Sequence, residues 1–166
     1  MTAKEDDMTF DLNLHVHRLL MDEPFFAALS RRIDKRESKS VPTAGVRINP
    51  HTNRYEMLYN SDFMSKLSEP ELSDVLKHEL YHLVFLHVSS RKPEGCNEKT
   101  WNVAADLAIN SHLNNLPDWV CKPGIGPFSD YDSFLSAEAY FEMLKKDPNF
   151  DPNDGDGQGG EGDPNG

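Results

Sequence analysis

Cysteine is nearly missing from this chain: Cys96 and Cys121 are the only two in 166 residues. Two isolated thiols cannot build a disulfide framework or a cysteine-rich zinc knuckle. Long apolar runs are missing as well. The longest, Leu80 to Val88, is interrupted by His82 and His87 and falls well short of the roughly 20 residues a membrane span requires. It reads as a core helix. No cationic segment followed by an apolar one opens the chain, so the expectation is a cytoplasmic protein with no membrane contact. Basic clusters are confined to Arg31-Arg32 and Lys35-Arg36. These read as a solvated helix end, and nothing resembles the electrostatic footprint of a nucleic-acid binder. Acid is in excess, with a formal charge of −11, yet six of the 28 acids lie between Asp147 and Gly166 with no base among them, leaving 22 acids against 17 bases elsewhere. The body is only mildly acidic.

What is present suffices for one domain of ordinary size, able to bury a core without staples. Leu12, Leu14, Val16, Leu19, Leu20, Phe25, Phe26, Leu29 and Ile33 mark a helical region interrupted near Asp22-Glu23-Pro24, where Pro24 can begin a second helix. Val46-Arg47-Ile48 and Tyr55 to Tyr59 flank the polar stretch Asn49 to Arg54 and read as a hairpin, the one convincing pair of strands. Ser68-Glu69-Pro70-Glu71 matches a capping box with proline in the first turn, so a helix is expected from there toward Ser89. Further helices are expected over about Glu98 to Leu116 and from the cap Ser136 to Lys146. The fold class is therefore α+β and mainly helical. The domain is expected to span residues 1–147. Residues 148–166 read as a disordered, acidic Gly/Asp-rich linker or tail, with no large apolar residue after Phe150. Such a linker is the expected junction to a further domain. Its Asp-Gly alternation lacks the spacing of a calcium-binding EF-hand loop.

The most specific feature is His78-Glu79-Leu80-Tyr81-His82. On a helix, positions i and i+4 share a face, so both imidazoles can reach one ion while Glu79 handles a water beside it. That is the zinc-protease signature. Catalytic zinc sites take three protein ligands and keep one position open, so a third ligand is expected elsewhere. The metzincin pattern fails, because this chain has Phe85 and Val88 where that pattern needs glycine and histidine. His87 lies roughly 140° round from His82 on a continuous helix. It could join the ion only if the helix broke first, for which Leu86 gives no reason; otherwise it is a core histidine or one that orients a ligand.

Asp106 is the other candidate. From Trp101 to Leu113 the chain has no lysine, arginine or glutamate, so the helix is expected to be buried on most sides. A buried carboxylate then needs a cation, a dense set of hydrogen bonds or a proton. Asp106 reads as a metal ligand or a close partner of one, with Asn102 and Asn110 one turn to either side suited to orienting the ligands. A narrow solvent-facing polar stripe is the plainer alternative. Tyr55 to Tyr59 is expected to offer an open edge for an extended peptide. Tyr59, His87 and Tyr131 are candidate oxyanion donors.

The run Lys77 to His82, the later His87, the segment Trp101 to Asn110, Pro24-Phe25-Phe26-Ala27, Pro42-Thr43-Ala44-Gly45 and Ser136-Ala137-Glu138 together resemble the predicted metallopeptidase domain of von Willebrand factor A-like proteins of bacteria and phages. The resemblance covers about residues 12–147. It implies a zincin-like fold with a small sheet and an active-site helix carrying the HExxH motif, and often a von Willebrand factor A-like domain after a linker. Relatives of this kind often carry glycine before the later histidine, where this chain has Leu86. The functional expectation is a zinc-dependent metallopeptidase acting on a peptide or protein. In it His78, His82 and Asp106 bind Zn2+ and Glu79 is the catalytic base. The alternative is a catalytically silent or structural metal-binding module that recognises a protein partner, tethered to a downstream von Willebrand factor A-like domain.

Overall fold

Proline and short polar caps divide the chain into its helices. The computed structural model describes residues 10–154. α1 (Leu12–Asp22) starts at Asp11, whose carboxylate accepts from the Asn13 amide at 2.9 Å. α2 (Pro24–Ser30) follows at once, with proline in its first turn, where no amide hydrogen is needed. After β1 (Asp34–Glu37), β2 (Ala44–Ile48) and β3 (Tyr55–Tyr59) comes the short α3 (Ser61–Met64), and then α4 (Glu69–Val84). The capping box at the start of α4 is formed in both directions between Ser68 and Glu71. α5 (Glu98–Asn110) is capped by Asn97 and α6 (Ala137–Lys146) by Ser136. The described chain is thus α+β, with six α-helices and a three-stranded sheet.

The sheet differs from a simple hairpin. β2 and β3 pair antiparallel, as the turn chemistry at Asn49 to Arg54 requires, but β1 adds parallel to the other side of β3, giving the order β1-β3-β2. The charged run containing Lys35-Arg36, read above as a helix end, is that third strand. Its charge is accommodated because it lies at the sheet edge, where solvent meets three of its four residues. Arg36 and Arg47, from the two outer strands, both face the buried Glu56 of the central one. β3 therefore has no open edge, and the peptide-docking role expected of it is excluded. β2 is an outer strand of the sheet, with Ala44, Gly45 and Val46 buried and Ile48 exposed.

Two apolar cores form. One gathers α1, α2, the sheet and α4 around Leu19, Phe26, Val46, Met57, Leu76 and Leu80. The other joins α5 to α6 around Trp101, Leu107, Tyr140 and Leu144. α4 belongs to the first and α5 to the second, and the buried polar residues His82, Glu79, Asp106 and Asn110 lie on these two helices. A polar seam therefore runs between two apolar bodies. α5 stops at Asn110, short of the expected Leu116. Beyond it the chain tightens, with the amides of His112 and Leu113 reaching back to the carbonyls of Ile109 and Asn110. Asn115 then donates its amide to the buried Asp74 of α4 at 2.7 Å. Most of the expected tail lies outside the described residues. Its first part is within them, and Phe150 packs against the α5–α6 core.

Candidate metal centre

Helical spacing brings His78 and His82 together first: their Nε2 atoms are 3.1 Å apart. From the facing helix α5, Asp106 Oδ1 lies 3.2 Å from His78 Nε2 and 3.1 Å from His82 Nε2. Two imidazole nitrogens and one carboxylate oxygen thus form a nearly equilateral triangle, a group that could hold a metal ion. Asp106 is buried, and Ala104, Ala105 and Ala108 around it are buried too. Those alanines belong to the α5–α6 core, where their small side chains let the two helices pack closely.

The far side of each imidazole is engaged as well. His78 Nδ1 donates to Asn110 Oδ1 at 2.7 Å, and Asn110 Nδ2 donates to the Cys121 carbonyl at 2.7 Å. The second bond decides which way the amide faces, and so directs Oδ1 toward His78. With its hydrogen committed on Nδ1, a neutral His78 keeps a lone pair on Nε2, facing the triangle. Asn102, one turn before Asp106 on α5, does not line the site's pocket.

His87 occupies the corresponding place behind His82, their Nδ1 atoms 3.3 Å apart. It gets there because the helix does break. α4 ends at Val84, Leu86 adopts φ +58°, and the His87 amide bonds back to the His82 carbonyl at 2.9 Å. This is a Schellman turn, in which the left-handed residue is usually glycine. Leu86 performs it with a Cβ, which is why sequence spacing alone gave no reason to expect the break. Trp101 Nε1 holds the His87 carbonyl at 2.8 Å, and Arg91 ties the Phe85 carbonyl to Glu138 of α6. His87 is therefore locked against His82 Nδ1, on the opposite ring edge from the triangle.

Electrostatics follow from burial and pairing. Burial disfavours the His78 imidazolium, but the hydrogen bond and charge of Asp106 outweigh it and raise its pKa to about 9. Burial pushes the Asp106 carboxyl up, yet the bonds to His78 and His82 hold it well below the usual carboxylate range. His87 is pulled down to about 3 by burial and by the charges of His82 and Arg91, so it stays neutral. Glu79 is raised above its ordinary value. Burial raises it, and the nearby histidines only partly counter that. It is 6 % exposed, and its Oε2 has no hydrogen-bond partner. A buried, unsatisfied carboxylate oxygen is costly to retain without a role.

Glu79 lines a pocket together with His78, Asp106 and Asn110, with a cavity volume of about 50 Å³. A water needs roughly 10–15 Å³ of such space, so a few waters fit beside Glu79. Tyr59 and Tyr131 do not line this pocket, and the Tyr131 hydroxyl donates to Asp147 at 2.7 Å. His87 does not line it either. None of the three candidate oxyanion donors is placed for that task. Sequence reasoning missed Cys121, which lines the pocket and whose carbonyl orients Asn110. No residue pattern signals a backbone carbonyl.

A family model described as "Putative metallopeptidase domain" matches residues 8–165. The chain belongs to this family. The match spans the whole described region, including both helices of the triangle, so a metallopeptidase-like domain and the His-His-Asp group occur in one unit. Neither the curated proteins nor the solved structures include a match to the chain. Among the described residues, no helix is long and apolar enough to cross a membrane.

Proposed function

We propose that this chain is a zinc-dependent peptidase of zincin type, with His78, His82 and Asp106 as metal ligands and Glu79 as general base. The observation that carries the reading is the convergence of three ligand atoms at 3.1–3.2 Å beside a buried carboxylate oxygen with no partner. Ligand atoms at zinc distances of about 2.0–2.1 Å in tetrahedral array stand about 3.3 Å apart, so the triangle has the size the ion requires. The donor set fits too. Two imidazoles and a carboxylate suit zinc, and a three-ligand set leaves a position open for chemistry.

Zinc in such a site supplies a Lewis acid that polarises a peptide carbonyl and brings the pKa of a water toward about 7. The protein's own residues do the rest. Asn110 and His87 fix the ring orientations of His78 and His82. Glu79 is within the same pocket, and its raised pKa brings it nearer neutrality, where one carboxylate can both take a proton from water and return it to a leaving amine. The Cys121 thiol is pushed up by burial and by Asp106, so it is not a nucleophile at neutral pH.

The test is turnover by metal-loaded protein on casein and on a peptide library, with Glu79→Gln as the comparison. The expected result is cleavage by the wild type and a loss of about 100-fold or more in the variant, with zinc content unchanged. Zinc retained with no Glu79-dependent cleavage would leave a metal-binding module that recognises a partner. No bound metal would remove both readings.

A further inference from the structure

The pocket beside Glu79 has a polar part and an apolar end. Two members of the triangle, His78 and Asp106, line it with Glu79, and Phe63, Val75, Leu116, Trp119 and Val120 give it an apolar wall. That wall carries no charged side chain, so it favours apolar contact over any ion pair. Val75 lies one turn before Glu79 on α4, which sets the apolar wall directly next to the proposed base.

The wall is also fixed in place. Leu116, Trp119 and Val120 lie in the segment after α5, held by the Asn115 amide on Asp74 and by Asn110 on the Cys121 carbonyl, both at 2.7 Å. Trp119 stands edge-on to Phe63, with ring centroids 5.8 Å apart. Trp119 is nonetheless 45 % exposed, which puts this aromatic pair at the mouth. The cavity of about 50 Å³ lies between the roughly 10–15 Å³ that admits a water and the roughly 150 Å³ that admits benzene. That is room for a few carbon atoms and less than an aromatic ring fills.

Resting on the peptidase reading above, we propose that this apolar end is the subsite for the side chain adjoining the scissile bond, and that Trp119 and Phe63 restrict it to small aliphatic groups such as those of alanine and valine. The substrate class is then peptides with a small aliphatic residue at the cleavage point. Aromatic residues are excluded there by the ring pair, and acidic ones by the carboxylates of Glu79 and Asp106 in the same pocket.

Binding tests this without requiring turnover. Zinc-loaded protein is titrated with peptidyl hydroxamates whose side chain next to the chelating group is hydrogen, methyl, isopropyl or benzyl. The isopropyl compound is expected to bind about 10-fold more tightly than the hydrogen compound, and the benzyl compound at least about 10-fold more weakly than isopropyl. Trp119→Ala, at a half-exposed position, should remove the penalty against benzyl while leaving zinc content intact. Val120→Ala should relax it in the same direction. Equal affinities across the series, or a wild type that prefers benzyl, would overturn the subsite and leave the metal site standing. Failure of every hydroxamate to bind the zinc-loaded protein would overturn both.

Discussion

Replacing Asn110 with leucine, similar in size but unable to accept or donate, should weaken zinc binding by about 10–100-fold, the usual effect of losing a group that orients a ligand. In free energy that is about 1.4–2.8 kcal/mol. The structure supplies an independent route to the same size. Asn110 is 2 % exposed, so no water replaces its amide, and His78 Nδ1 loses its 2.7 Å acceptor. An unsatisfied buried donor costs about 1–3 kcal/mol. The His78 ring is then free to turn, or to carry its hydrogen on the nitrogen that faces the triangle. The Cys121 carbonyl loses its donor too, so the metal-free variant should also be less stable by about 1–3 kcal/mol. Affinity is measured by competition with a chromophoric chelator at fixed pH, below the melting temperature of either protein. Asn102→Leu is the control: it removes the other asparagine of the same helix, which does not line the pocket, and should leave affinity unchanged. If folded Asn110→Leu held zinc as tightly as wild type, His78 would not be oriented through Asn110. Equal losses in both variants would point to a general disturbance of α5.

Three further outcomes follow from other parts of the structure. Leu86→Gly should stabilise the protein by about 0.5–1 kcal/mol, because a left-handed residue with a Cβ costs roughly 1–2 kcal/mol and glycine's extra unfolded-state freedom returns only part of it. Leu86→Ala keeps the strain, and a comparable rise in its melting temperature would refute that account. Burial raises the Glu56 carboxyl, but hydrogen bonds from Arg47 and Asn49 and the charges of Arg47 and Arg36 outweigh it and leave it below its ordinary range. A depressed carboxylate contributes stability above its unfolded pKa, near 4.3, and loses it as pH falls through the folded value. Denaturant unfolding from pH 6 to pH 3 should therefore show a steeper decline in wild type than in Glu56→Gln; parallel curves would exclude the linkage. Arg91→Met removes the link between α4 and Glu138 while keeping an apolar stem. It should loosen the turn that carries His87, which would be read as faster amide exchange at His87 and Val88, with exchange in α6 little changed.

Much of the framework was legible locally. The Ser68 box, Pro24 and Ser136 are short-range signals, since a cap needs only its own helix to work, and the observed helices begin where those residues stand. The spacing of His78 and His82 places two rings on one face of α4 before any tertiary contact exists. An uncharged stretch marked α5 as buried, and that made Asp106 conspicuous.

Other features depended on partners distant in sequence. A charged segment became β1 because β3 had an unpaired side to offer, and backbone pairing does not depend on side-chain pattern. Leu86 took a glycine's conformation because Arg91, Trp101 and Glu138 hold the chain around it. Composition and spacing determined an α+β chain with a two-histidine helix and a buried acid on a later one. Only the packing of α4 against α5 decided that these meet in a triangle, that Glu79 is left with an unpaired oxygen, and that Phe63 and Trp119 narrow the way in. Distances across a seam between two cores are set by how both cores fill, and no local run of residues encodes that.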